Sequence, residues 1–135
     1  MSKQYDSVAV VGRVLIGVLF LMSGLSKLAA PAAIQGYIAS VGLPAPVVAY
    51  AVAVAVEVLG SLLLIAGVGA RFVAAAMTVF TLATALAFHN NFADQNQMIH
   101  FMKNLMIMGG LLQVAAFGAG RFSLDARLGA QRLAA

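Results

Sequence analysis

Four long apolar stretches, each close to the thickness of a lipid bilayer, constrain this chain more than any other feature. They run from about Val8 to Leu28, Ala45 to Gly67, Arg71 to His89 and His100 to Gly118. At ~1.5 Å per residue, segments of roughly 19–23 residues reach about 28–35 Å, which matches a hydrocarbon core of about 30 Å. In lipid the backbone must satisfy its own hydrogen bonds, so each stretch is a helix or belongs to a closed barrel. Continuous apolar runs such as Leu62–Ile65 and Val73–Met77 lack the alternation of barrel strands. The expectation is an all-α integral membrane bundle of four transmembrane helices. It forms a single domain over residues 1–135, with a tail at 119–135.

Composition closes the alternative of a water-soluble fold. The 135 residues are 63% hydrophobic and 9% charged, against roughly 25% charged in soluble domains. There is too little polar surface to face water. Cysteine is absent, which removes disulfides, thiolate metal sites, iron–sulfur ligation and dithiol chemistry. The net charge of +4 does not mark a nucleic-acid partner, because the eight basic residues form no run or stripe. The bilayer is the partner that the composition identifies.

Turn residues fall between the spans. Pro31 follows the first, Pro44 and Pro46 open the second, and Gly67 and Gly69 turn the chain into the third. The polar stretch Asn90–Gln97 reads as a loop. The tail can form a short interfacial helix, with Phe122, Leu124, Leu128 and Leu133 toward lipid. The first apolar run exceeds the ~7–15 residues of a signal-peptide core and contains Arg13, so it is expected to stay as a helix. Four spans put Lys3, Arg13, Arg71, Arg121, Arg127 and Arg132 on one side and only Lys27 and Lys103 on the other. That asymmetry places both termini in the cytoplasm.

Polar residues inside spans cost free energy and need a reason. Arg13, Gly17, Phe20, Ser23, Gly24 and Lys27 share one face of the first helix, so this small, polar face is expected to turn toward other helices. For Arg13 and Lys27 the simpler alternative is that they reach the two interfaces with their long stems. Glu57 lies near the middle of the second span, too deep for that. A charge there adds about 2.5–3.5 kcal/mol to insertion, which the eleven Val, Leu and Ile residues of the same span offset. It shares a face with Ala53, Gly60 and Ser61, again a helix–helix contact. The expected partner is Lys103, or Lys27 if the fourth helix is rotated.

At the far end, His100, Lys103, Asn104 and Ile107 share a face of the fourth helix, and His89 ends the third. With Lys27 these residues converge near the extracytoplasmic surface. The candidate ligand-binding set is Lys27, Glu57, His89, His100, Lys103 and Asn104. A metal or haem held by the histidines and Asp94 is disfavoured, because the histidines sit at helix ends rather than in the apolar core. No metal site is expected. Met98, Met102 and Met106 read as a flexible packing stripe. No nucleophile–base–acid order, Gly-rich phosphate loop or paired-carboxylate motif occurs, and no cofactor motif is evident.

Taken together, the segment Gly12-Arg13-Val14-Leu15-Ile16-Gly17, Phe20, Ser23-Gly24 and Lys27-Leu28 resembles the first helix of the DoxX family. The resemblance continues through Gly42-Leu43-Pro44, Glu57, Arg71, Phe88-His89, Phe101-Met102-Lys103-Asn104-Leu105 and Gly109-Gly110. It spans about residues 8–125; the order and spacing of the pieces carry it, since no single piece is specific. The resemblance implies a multi-pass protein of the bacterial inner membrane. The family takes its name from a quinone-linked thiosulfate-oxidising system with a related membrane subunit, which makes quinone the cofactor to consider. Three readings stay open. One is a membrane subunit that binds a quinone or small redox molecule and takes electrons from a partner protein, with Lys27, His89, Lys103 and Asn104 donating to a carbonyl and Glu57 handling protons. The others are a non-catalytic scaffold for a redox or stress-response complex, and a solute or proton carrier that works as a homo-oligomer.

Overall fold

The computed structural model describes residues 3–134, with side chains described from residue 5 to residue 129. The side chains of Lys3, Arg132 and Leu133, used in the topology argument above, lie outside the described residues. Among the described residues 83% are helical and none is in a strand. Helix α1 (Lys3–Ala29) crosses the bundle, and α2 (Pro31–Ser40) follows after a one-residue break. The second span is one rod in three parts: α3 (Pro46–Val54), a π-helical turn (Ala55–Gly60) and α4 (Ser61–Ala66). Helices α5 (Ala70–Phe88) and α6 (Gln95–Phe117) make the third and fourth spans, and α7 (Leu124–Ala134) is the tail. Four segments have the length and apolarity to cross a membrane: Tyr5–Ala29, Pro46–Ala66, Ala70–Phe88 and Gln95–Phe117.

The local chemistry explains most boundaries. Pro31 disfavours helical backbone at Ala30, so α1 stops at Ala29 and Pro31 becomes the first residue of α2. Gly67 ends α4 with a left-handed φ of 71°. Helix α6 begins at Gln95, five residues before the expected start of the apolar span. Asp94 caps it by accepting from the Gln97 N–H at 3.1 Å, so the polar residues 95–97 form a helical turn projecting beyond the apolar segment. Helix α2 had no counterpart in the expected spans. Ten residues cannot cross a bilayer; instead α2 packs on α3, buries Ile38 and stacks Tyr37 on Phe88 of α5 at 5.3 Å.

Helices in lipid gain little from the hydrophobic effect on meeting, so close approach and polar contacts must hold them. Both occur on the expected face of α1. Arg13, Gly17 and Gly24 are buried, and Phe20, Ser23 and Lys27 are partly buried. A Cβ at Gly24 would lie 2.7 Å from Val58 Cγ2 and 3.1 Å from the Val58 backbone N. Only glycine lets α1 come this near the π-turn. The packed core is at the end of the bundle that carries both termini: Leu64, Val73, Ala74, Met77 and Leu111, with Ile16 and Val114 against them. The opposite, distal half is hollow.

The tail is tied to the terminal end. Arg13 is 3% exposed; instead of reaching the interface, it donates to the carbonyls of Ala119 and Phe122. Asp125 accepts from Gly69 N at 2.8 Å and Ala70 N at 3.0 Å, while its own N–H donates to Gly67 O. One carboxylate thereby caps α5 and pins α7 to the α4–α5 turn. Phe122, Leu124 and Leu128 are exposed, as an interfacial helix requires. Met98, Met102 and Met106 are also exposed. They do not pack between helices but face outward from α6.

Candidate ligand site

The distal half holds a half-open cavity of about 620 Å³ lined by α1, the second rod, α5 and α6, with α2 contributing Ile34, Tyr37 and Ile38. That volume lies within the range of small-molecule sites, and mostly apolar walls with a few polar groups are the usual composition of one. Leu19, Phe20, Ile38, Val52, Phe80 and Phe88 supply apolar wall. The polar groups are Ser23, Lys27, Tyr37, Glu57, Thr81, Thr84, His89 and Asn104.

The central feature is an ion pair. Lys27 Nζ donates to Glu57 Oε2 at 2.8 Å and Oε1 at 3.0 Å, and to Ser23 Oγ at 2.9 Å. Glu57 is 5% exposed. The backbone brings the two groups together in three ways. Ser23 and Lys27 are four residues apart on one face of α1. Tyr50 Oη donates to Lys27 O at 3.2 Å, fixing the end of α1 against α3. Gly24 allows the close approach described above. Glu57 itself sits inside the π-turn. Such a turn shifts the facing register of a helix by about one residue and is frequent at functional sites. Its expected neighbours Ala53 and Ser61 are buried with it.

Of the six expected site residues, Lys27, Glu57, His89 and Asn104 line the cavity. His100 and Lys103 do not. Lys103 is exposed on the outer side of α6, and among the described residues it makes no ion pair, so Glu57 has the second of its two expected partners. The reason is rotational: α6 turns Asn104 and Ile107 inward, which carries the preceding Lys103 outward. His100 is exposed at the mouth, where its ring stacks on His89 at 5.0 Å. His89 Nδ1 lies 3.0 Å from Gln97 Oε1. Asp94 is occupied as the cap of α6. Thr81 and Thr84 were missed, although hydroxyls at 78, 81 and 84 repeat every three residues along the third span and mark a polar stripe. The α2 residues Ile34, Tyr37 and Ile38 were missed because no sequence signal separated α2 from a loop.

The DoxX sequence model matches residues 8–90. The chain is 37% identical over 128 residues to the inner membrane protein YqjF of Escherichia coli K12, covering 93% of this chain and 95% of that protein. It is 33% identical over 122 residues to the inner membrane protein YphA of the same organism, covering 87% of each. No solved structure matches.

Proposed function

The chain belongs to the DoxX family and is a multi-pass inner membrane protein, and from that premise we propose that it is the ligand-binding membrane subunit of a redox system. The ligand is a neutral quinone or similar small redox molecule, taken from the bilayer into the distal cavity. One observation carries the reading: Lys27 of α1 pairs with Glu57 of the π-turn on the wall of a mostly apolar cavity of about 620 Å³. A buried ion pair gains little over apolar packing, so stability alone gives weak reason to keep one beside an open space. A ligand with a small polar head and a hydrophobic body gives a better reason. Electrons would come from a partner protein, since the chain has no thiol and its sequence no cofactor motif. Both termini face the cytoplasm in this proposal, which puts the cavity in the extracytoplasmic half.

The test is extraction in mild detergent followed by mass spectrometry of bound lipids. Co-purified quinone near one per chain is expected, and much less from the paired variant Lys27→Met/Glu57→Met. A wild-type protein free of any small ligand but carrying a stoichiometric soluble protein would refute the reading in favour of a scaffold.

A further inference from the structure

The hydrogen-bonding groups around the cavity are unevenly divided between donors and acceptors. An ammonium has three hydrogens, and those of Lys27 are matched by Ser23 Oγ, Glu57 Oε1 and Glu57 Oε2. It has none left for a ligand. Thr81 Oγ1 donates to Met77 O at 2.7 Å, and Thr84 Oγ1 donates to Thr81 O at 2.9 Å. Both hydroxyls therefore keep lone pairs and no hydrogen. At the distal end, His89 Nδ1 lies 3.0 Å from Gln97 Oε1, so that nitrogen is already engaged. Each Glu57 oxygen accepts one hydrogen bond from Lys27 and retains a second lone pair. The uncommitted donors are the Ser23 hydroxyl hydrogen, the Tyr37 hydroxyl on α2 and the amide of Asn104, which is an acceptor as well; none of the three replaces the lone pairs at Glu57, Thr81 and Thr84.

We infer that the cavity selects a ligand head that donates hydrogen bonds: a neutral, hydroxyl-bearing ring of the hydroquinone type in preference to the carbonyl-bearing quinone. This rests on the proposed function and sets the polarity of the ligand, which that reading leaves open. A quinone carbonyl offers only lone pairs, and at Glu57, Thr81 and Thr84 it meets lone pairs again. A buried acceptor facing another acceptor leaves both unsatisfied. A ring hydroxyl placed at the same position donates to the carboxylate, and a hydrogen bond to a charged group is among the stronger kinds. The Lys27–Glu57 pair thus acts as a neutralised carboxylate, an acceptor without net charge, suited to an uncharged donor from the lipid phase.

The experiment compares two matched probes, a short-chain benzoquinone and its two-electron-reduced hydroquinone. The full chain is held in nanodiscs of quinone-free lipid without oxygen, and binding is measured by calorimetry. The hydroquinone is expected to bind at least about tenfold more tightly, the equivalent of one added hydrogen bond. Glu57→Gln replaces the charged acceptor with an amide that also donates, so this preference should shrink or invert. Thr84→Val keeps the shape, deletes one acceptor and guards against a Glu57 variant that fails to fold. It should weaken the hydroquinone several-fold relative to the quinone, narrowing the preference. Equal affinities, or a tighter quinone, would overturn the inferred polarity and leave the proposed binding function standing. Failure of both probes to bind the folded wild-type protein would overturn both.

Discussion

Replacing Lys27 with methionine should cost the fold more than replacing Glu57 with glutamine, although the two residues share one ion pair. The charges meet at 2.8 and 3.0 Å; at an effective dielectric of about 20 their attraction is roughly 6 kcal/mol before desolvation. Most of that offsets the cost of removing the ions from water, but deleting one partner leaves the other uncompensated, typically at about 3–5 kcal/mol. Depth then separates the variants. Lys27 is two residues from the end of α1, and its side chain is 22% exposed. Left alone, it can extend along its stem to the distal interface, so Glu57→Gln should cost about 1–2 kcal/mol. Glu57 sits mid-span, its side chain 7% exposed, and has no such exit. Lys27→Met should therefore cost about 3 kcal/mol or more. The double variant Lys27→Met/Glu57→Met removes both charges and should return to within about 1 kcal/mol of the wild type. Titrating SDS into mild-detergent micelles and following helix content by far-UV circular dichroism gives the four unfolding free energies. A Glu57→Gln loss as large as that of Lys27→Met would refute the reasoning from depth. A double variant less stable than Lys27→Met would show that the pair is not coupled.

In the same unfolding assay, Lys103→Met should stay within about 0.5 kcal/mol of the wild type, because Lys103 is exposed on α6; a loss comparable to that of Lys27→Met would mean that Lys103 carries the charge balance. Asp125→Ala removes the acceptor for two N–H groups at the start of α5 and should cost about 1–2 kcal/mol. It should also make the tail an easier target for trypsin at Arg121 and Arg127, and an unchanged digestion rate would show that the carboxylate does not hold α7. Gly24→Val should cost about 1–3 kcal/mol by forcing α1 away from the π-turn, and wild-type stability would mean that the close approach is dispensable. A reporter fused after Ala135 should be active in the cytoplasm only; activity outside the cell would reverse the proposed orientation.

Span number and placement were legible in the sequence because the bilayer sets one length and penalises every unpaired backbone group within it. The face of α1 from Arg13 to Lys27 was legible for a related reason: small and polar residues at helical spacing are unfavourable toward lipid and become useful against another helix. Glu57 was bound to face inward, since its short side chain cannot reach water from mid-span. The sequence could not say which lysine Glu57 would meet. Lys27 and Lys103 both lie at reachable heights, and the choice depends on how far α6 is rotated about its own axis, which is set by its packing on α5. The π-turn was equally hidden, because Ala55–Gly60 has the composition of ordinary α-helix and the extra residue per turn is a matter of backbone register. Helix α2 was hidden because ten residues of mixed polarity become a helix here only by burying Ile38 and stacking Tyr37 on Phe88. The cavity is lined from all three, by Asn104 of α6, Glu57 of the π-turn and Tyr37 of α2. Apolar length is written residue by residue along the chain, whereas a hollow between helices depends on their mutual rotation, and no single helix contains that information.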